Sequence, residues 1–125
     1  MGHPTGAEKP EYPDTYYNMG VALKEKGNLD AAIDSYKQAI KIKPDYANAY
    51  NNMGVALKNK GDLEAAIDSC KQALKIEPDF AEAHNNLGVT LQELGRLDEA
   101  EASFTQAIAL KPDFAEANYN LGNTL

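Results

Sequence analysis

The sequence predicts an all-α solenoid of stacked helix–turn–helix units, and three observations carry that prediction. Gly20, Gly54 and Gly88 stand 34 residues apart, each four positions after a Tyr or His and each followed by a glycine turn, an alanine and a proline. A fixed period of this size marks a repeat architecture. Within a unit, apolar residues fall three and four apart, as in Tyr16, Met19, Leu23 and again in Tyr50, Met53, Leu57. That is the spacing of a helix with one buried face. Glycines and prolines then break every unit at the same two places.

The units run 13–46, 47–80 and 81–114, and a fourth begins at Ala115 and reaches Leu125. Residues 1–12 read as a disordered tail, or as the remnant of a tag or of a preceding repeat. Met-Gly-His looks like an expression scar, whereas Lys9-Pro10-Glu11-Tyr12 echoes Lys43-Pro44-Asp45-Tyr46. The first helix of each unit carries Gly20, Gly54 or Gly88 on its core face. A glycine inside a helix costs ~1 kcal/mol relative to alanine, so a second helix should approach closely there, with Ala32, Ala66 and Ala100 as its contact residues. Gly27, Gly61 and Gly95 stand where the first helix needs a left-handed C-terminal residue. Asn28 and Asp62 follow as N-cap candidates, and Arg96, in the same place, caps poorly. The second helix runs through Ile33, Tyr36, Ile40 and their equivalents to Pro44, Pro78 and Pro112. Asp79 with Glu82, and Asp113 with Glu116, have capping-box spacing for the next first helix.

Composition narrows the function classes. A chain of 125 residues, 43% hydrophobic and 25% charged, is one ordinary globular domain. A net charge of −7 argues against a nucleic-acid backbone as partner. No apolar run approaches the ~18 residues of a membrane span, and the N-terminus lacks the apolar centre of a secretory signal, so no membrane partner is expected. One cysteine forbids an intrachain disulfide and fits a reducing, cytoplasmic setting.

The residues Tyr16-x-x-Met19-Gly20-x-x-Leu23 with Ala32, Tyr36, Ala39 and Pro44 resemble the tetratricopeptide repeat signature. So do Tyr50, Met53, Gly54, Ala66, Cys70 and Pro78, and His84, Leu87, Gly88, Ala100, Phe104 and Pro112. The resemblance covers residues 13–125. It implies antiparallel helix pairs in a right-handed superhelix, first helices on the concave side, and protein or peptide partners. Units one and two share most of their positions, including Asn-Met-Gly-Val-Ala-Leu-Lys at 18–24 and 52–58, which suggests a fragment of a longer array. The alternative is that the short last helix is itself the cap. Tyr119, Leu121 and Leu125 should stay partly exposed, inviting end-to-end self-association into a homo-oligomer.

Opposite the core stripe of the first helix, Asn18, Asn52, Asn86 and Asn120 recur every 34 residues. An amide donates and accepts at once, so a row of them suits the backbone of an extended peptide. Asn51 and Asn85 precede two of them. Val21, Val55 and Val89 form an apolar row one turn on, and Tyr17 and Tyr119 flank it. The row is similar to the asparagine ladder of O-linked N-acetylglucosamine transferases, which implies guidance of protein substrates. The competing reading is that the amides bridge neighbouring helices or face water, and that the valines pack between units. Asp14, Glu82 and Glu116 favour a basic peptide unless capping occupies them. Lys24 and Lys58 read as solvated. In carboxylate-clamp tetratricopeptide domains the clamp is lysine, asparagine, asparagine, lysine and arginine. Those positions here are Tyr17, Val21, Asn52, Glu82 and Asn86, so a chaperone-tail clamp is not expected.

No catalytic constellation is visible. Cys70 takes the place of Tyr36 and Phe104 and reads as core, its smaller side chain leaving a gap. His84 replaces Tyr16 and Tyr50 and reads as core-facing with its nitrogens at an edge. No His or Cys pair has metal-ligand spacing, and no Gly-rich loop carries the Lys-Ser or Lys-Thr of a phosphate site. The expectation is a non-enzymatic binding scaffold with neither cofactor nor metal, or else an assembly element joined through its ends.

Overall fold

The computed structural model describes residues 12–125, which form seven α-helices and, among the described residues, no strand. These are α1 (Pro13–Glu25), α2 (Leu29–Ile42), α3 (Ala47–Lys60), α4 (Leu63–Ile76), α5 (Ala81–Glu93), α6 (Leu97–Leu110) and α7 (Ala115–Thr124). Of the N-terminal segment read as a tail, only Tyr12 falls among the described residues.

The first helices α1, α3 and α5 each end at a glycine in the left-handed region: Gly27 at φ 84°, Gly61 at φ 95° and Gly95 at φ 80°. The same two backbone bonds close all three turns. Asn28 N–H donates to the Leu23 carbonyl (2.9 Å) and Gly27 N–H to that of Lys24 (2.9 Å), with Asp62 and Gly61, then Arg96 and Gly95, repeating the pattern. This is a Schellman closure, which only a residue free of Cβ strain joins at little cost.

Helix starts depart from expectation. Asn28 and Asp62 do hold the N-cap positions of α2 and α4, but neither side chain caps the helix. Each is also the last residue of the Schellman closure before it, and its backbone (φ −83°, ψ 73° at Asn28) lies off the extended region that a capping side chain uses. The capping boxes do not form either. The N-caps of α5 and α7 are Phe80 and Phe114, one residue beyond Asp79 and Asp113. That shift frees Glu82 and Glu116 for other partners.

Packing is between nearest neighbours. α1 lies on α2, α3 on α4 and α5 on α6; each second helix then packs on the following first helix. The expected contact of Gly20 and Gly88 with alanines needs correction. A Cβ at Gly20 would lie 2.5 Å from Tyr36 Cε1, and one at Gly88 2.5 Å from Phe104 Cε1. The glycines make room for an aromatic ring one turn beyond the alanine. At Gly54 the neighbours are Cys70 Sγ (2.8 Å) and the Ala66 carbonyl oxygen (3.3 Å). Ala32, Ala66 and Ala100 are fully buried all the same. Tyr36 and Ile33 join Met53 and Tyr46 in one apolar cluster, while Cys70, Phe104, Leu87 and Leu91 form a second.

Candidate interaction groove

The first helices touch one another in series, α1 with α3, α3 with α5 and α5 with α7, whereas no second helix meets another. A stack whose one row closes while the other spreads must curve toward the closed row. The first helices therefore line the inner face, and their residues away from the core face into it.

Side-chain hydrogen bonds run along that face at a constant offset of 35 positions. Asn52 Nδ2 donates to Tyr17 Oη (2.7 Å), Asn86 Nδ2 to Asn51 Oδ1 (2.9 Å) and Asn120 Nδ2 to Asn85 Oδ1 (3.2 Å). The direction of the last is fixed from outside. Asn85 Nδ2 donates to Glu116 Oε2 (3.2 Å), and an ionised carboxylate only accepts. Asn85 must then offer its carbonyl to Asn120, and Asn120 must turn its own carbonyl the other way. Asn52 is oriented similarly, because its Nδ2 also reaches the Asn48 carbonyl at 3.3 Å. Three amides thus each commit an N–H to the preceding repeat, Asn52 a second to its own helix backbone, and turn their oxygens away from those partners.

The two asparagines of each pair have different surroundings. Asn52, Asn86 and Asn120 are half-buried and Asn18 is exposed. Asn51 and Asn85 are buried, Asn85 to 2% exposure, and so lie behind the groove surface, holding Asn86 and Asn120 rather than meeting solvent. The bridging of neighbouring helices and the outward row of amides are not alternatives here, since one amide does both. Sequence reading missed this division of labour. Its only trace is the Asn-Asn pair at 51–52 and 85–86.

Val21, Val55 and Val89 are half-buried, and Val21 and Val89 pack against the two core clusters. The Tyr17 ring is engaged within the protein, 5.2 Å from Tyr46 and 6.0 Å from Tyr36 between centroids. Burial raises the Tyr17 pKa, opposed by its bond from Asn52. Tyr46 Oη donates to Asp14 Oδ1 (2.6 Å), and burial followed by this bond pushes the Tyr46 pKa well up. Lys58 is not simply solvated, since its Nζ lies 3.9 Å from Glu93. Lys111 Nζ lies 3.5 Å from Glu82.

At the C-terminal end, Leu121 packs against the second cluster, while Tyr119 (70%) and Leu125 (78%) are exposed. Cys70 is buried, and burial pushes its thiol up to about 12. His84 is half-buried, with Nε2 2.9 Å from the Pro78 carbonyl. Among the described residues no His, Cys, Asp and Glu side chains cluster as metal ligands, and no helix is long and apolar enough to cross a membrane.

Sequence models of the tetratricopeptide repeat match residues 47–80 and 81–114, and a further TPR-repeat model matches 22–61. The chain belongs to the tetratricopeptide repeat family. No curated protein matches the sequence. Solved tetratricopeptide structures superpose closely. The first TPR of Spaghetti (RPAP3), bound to an HSP90 peptide, matches at 21% identity with TM-score 0.88, over 91% of this chain and 90% of that one. The Arabidopsis OM64 TPR domain matches at 25% identity with TM-score 0.86, covering 90% and 93%. MamA matches at 27% identity with TM-score 0.87, covering 93% and 68%. With their sequences so different, what these tetratricopeptide chains have in common with this one is the fold.

Proposed function

We propose that this tetratricopeptide chain is a protein-interaction scaffold that holds an extended peptide along the inner face of α1, α3, α5 and α7, chiefly by its main chain. One observation carries the reading: Asn52, Asn86 and Asn120 each donate an Nδ2 N–H to the preceding repeat, and Asn52 also to its own helix backbone, leaving their carbonyl oxygens in a row. An oxygen held in place by a bond at the other end of its amide is a preorganised acceptor, and preorganisation lowers the cost of binding. Packed helices lie about 9 Å apart and an extended chain advances about 3.4 Å per residue. Each asparagine therefore meets about every third residue, and four of them span about nine. A net contribution of ~1 kcal/mol per bond makes affinity depend on several bonds in series. A structural relative bound to a peptide, the first TPR of Spaghetti, accords with this use of the fold.

The test uses a peptide of about ten residues recovered from a display library and a copy N-methylated at every third position. The unmodified peptide is expected to bind at least tenfold more tightly, because methylation removes the N–H donors. Equal affinity would mean that side chains, not the main chain, are read.

A second reading has its own observation. Tyr119 and Leu125 are exposed, and a Cβ at Gly122 would meet nothing within 4 Å, so α7 has the unfilled face that a further helix covers in the other units. Self-association through this end predicts a sedimentation coefficient that rises with concentration and a Leu125→Glu variant that stays monomeric.

A further inference from the structure

Four positions of each first helix face the groove: Asp14, Asn18, Val21 and Glu25 in α1, and their equivalents at intervals of 34. They carry five carboxylates, Asp14, Glu25, Glu82, Glu93 and Glu116, and no lysine or arginine. All five residues are exposed. Two are met by lysines from elsewhere, Glu82 by Lys111 and Glu93 by Lys58. The partners of Asp14 and Glu116 are a tyrosine hydroxyl and an asparagine amide, which are neutral and leave the charge in place. Acid outnumbers base five to three even when Lys24 at the rim is counted with Lys58 and Lys111.

Between the carboxylates the asparagines add acceptors. The orientation anchored by Glu116 through Asn85 turns the Asn120 carbonyl outward, and the bonds of Asn52 and Asn86 do the same in the repeats before it. The inner face therefore carries an excess of negative charge, supplied by α1, α5 and α7, beside the asparagine carbonyls. We infer, resting on the groove reading above, that its occupant is a basic extended segment, with lysine or arginine side chains paired to Glu25 and, in place of the 3.9 Å contact of Lys58, to Glu93, while its backbone N–H groups meet the asparagine carbonyls. Arginine fits best, because its fork of donors satisfies a carboxylate bidentately.

The probes are three twelve-residue peptides of repeating Gly-Ser-Arg, Gly-Ser-Gln and Gly-Ser-Glu, read by fluorescence anisotropy. The arginine peptide is expected to bind at least tenfold more tightly than the glutamine peptide, and to weaken about fivefold or more between 50 and 300 mM salt as screening grows. A Glu25→Gln, Glu93→Gln variant should lose that preference. An Asp34→Asn, Asp68→Asn variant removes the same charge from the outer helices and should keep the preference. Equal losses in both variants would overturn the inference, since bulk charge would explain them. Equal binding of arginine and glutamine peptides would overturn it too and leave the groove standing. Failure of all three peptides, with those from a display library failing as well, would remove the groove reading itself.

Discussion

Asn85 Oδ1 accepts a hydrogen bond of 3.2 Å from Asn120 Nδ2, and the opposite end of the same buried amide donates to Glu116 on α7. One side chain of α5 thereby holds two residues of α7, the first helix of the next repeat. An Asn85→Ala substitution strips both of their partner, and an unmet polar group in a partly buried place costs ~1–3 kcal/mol. The loss should fall on the terminal helix. Hydrogen exchange of α7 amides is expected to quicken by about tenfold while that of α1 and α2 stays as it was. Uniform quickening would show that the bond stabilises the domain as a whole.

The helical glycines are not equivalent. Gly88→Ala would place Cβ 2.5 Å from the Phe104 ring, whereas at Gly122 nothing lies within 4 Å. Overpacking of this kind costs ~1–3 kcal/mol, but relief of a helical glycine in open space gains up to ~1 kcal/mol. Chemical denaturation should therefore give opposite signs for the two variants.

Tyr36 has a buried hydroxyl with no hydrogen-bond partner among the described residues. Phe104, two repeats later, fills the same slot without a hydroxyl. Tyr36→Phe should be neutral to stabilising by ~1 kcal/mol, because it deletes an unsatisfied group and leaves the ring packing intact. A destabilised variant would mean that the hydroxyl is bonded after all.

The Cys70 thiol, raised by burial to about 12 from its ordinary value of 9.0, links stability to pH. A pKa raised on folding gives a contribution fully present below the unfolded value and lost as pH rises toward the folded one. Between about pH 9 and 12 the unfolded chain sheds the proton that the folded chain keeps, so stability falls. Wild type should lose more stability over that range than Cys70→Ala. At pH 8 the native thiol should react with a disulfide reagent only as fast as the chain opens.

The sequence displays the helices plainly because their determinants are local and repeated: a period, three left-handed glycines, and prolines closing the second helices. The caps were harder to read. Whether Asp79 or Phe80 begins α5 depends on how the preceding helix ends, which residue spacing alone does not specify. The glycine contacts were misassigned to alanine because a ring four residues on reaches back across the helix, a matter of side-chain length rather than position. At the groove, the asparagine row is visible at intervals of 34, but its orientation is not. That comes from Glu116, once the failed capping box has released it to Asn85.

Peptide capture is the most direct test of the groove. The chain and an Asn18→Ala, Asn52→Ala, Asn86→Ala variant, both checked for native helical content, would be compared against the same display library of unstructured peptides. The asparagine row predicts capture by the parent and loss by at least tenfold in the folded variant. Equal capture by both would contradict it and move the partner to another surface.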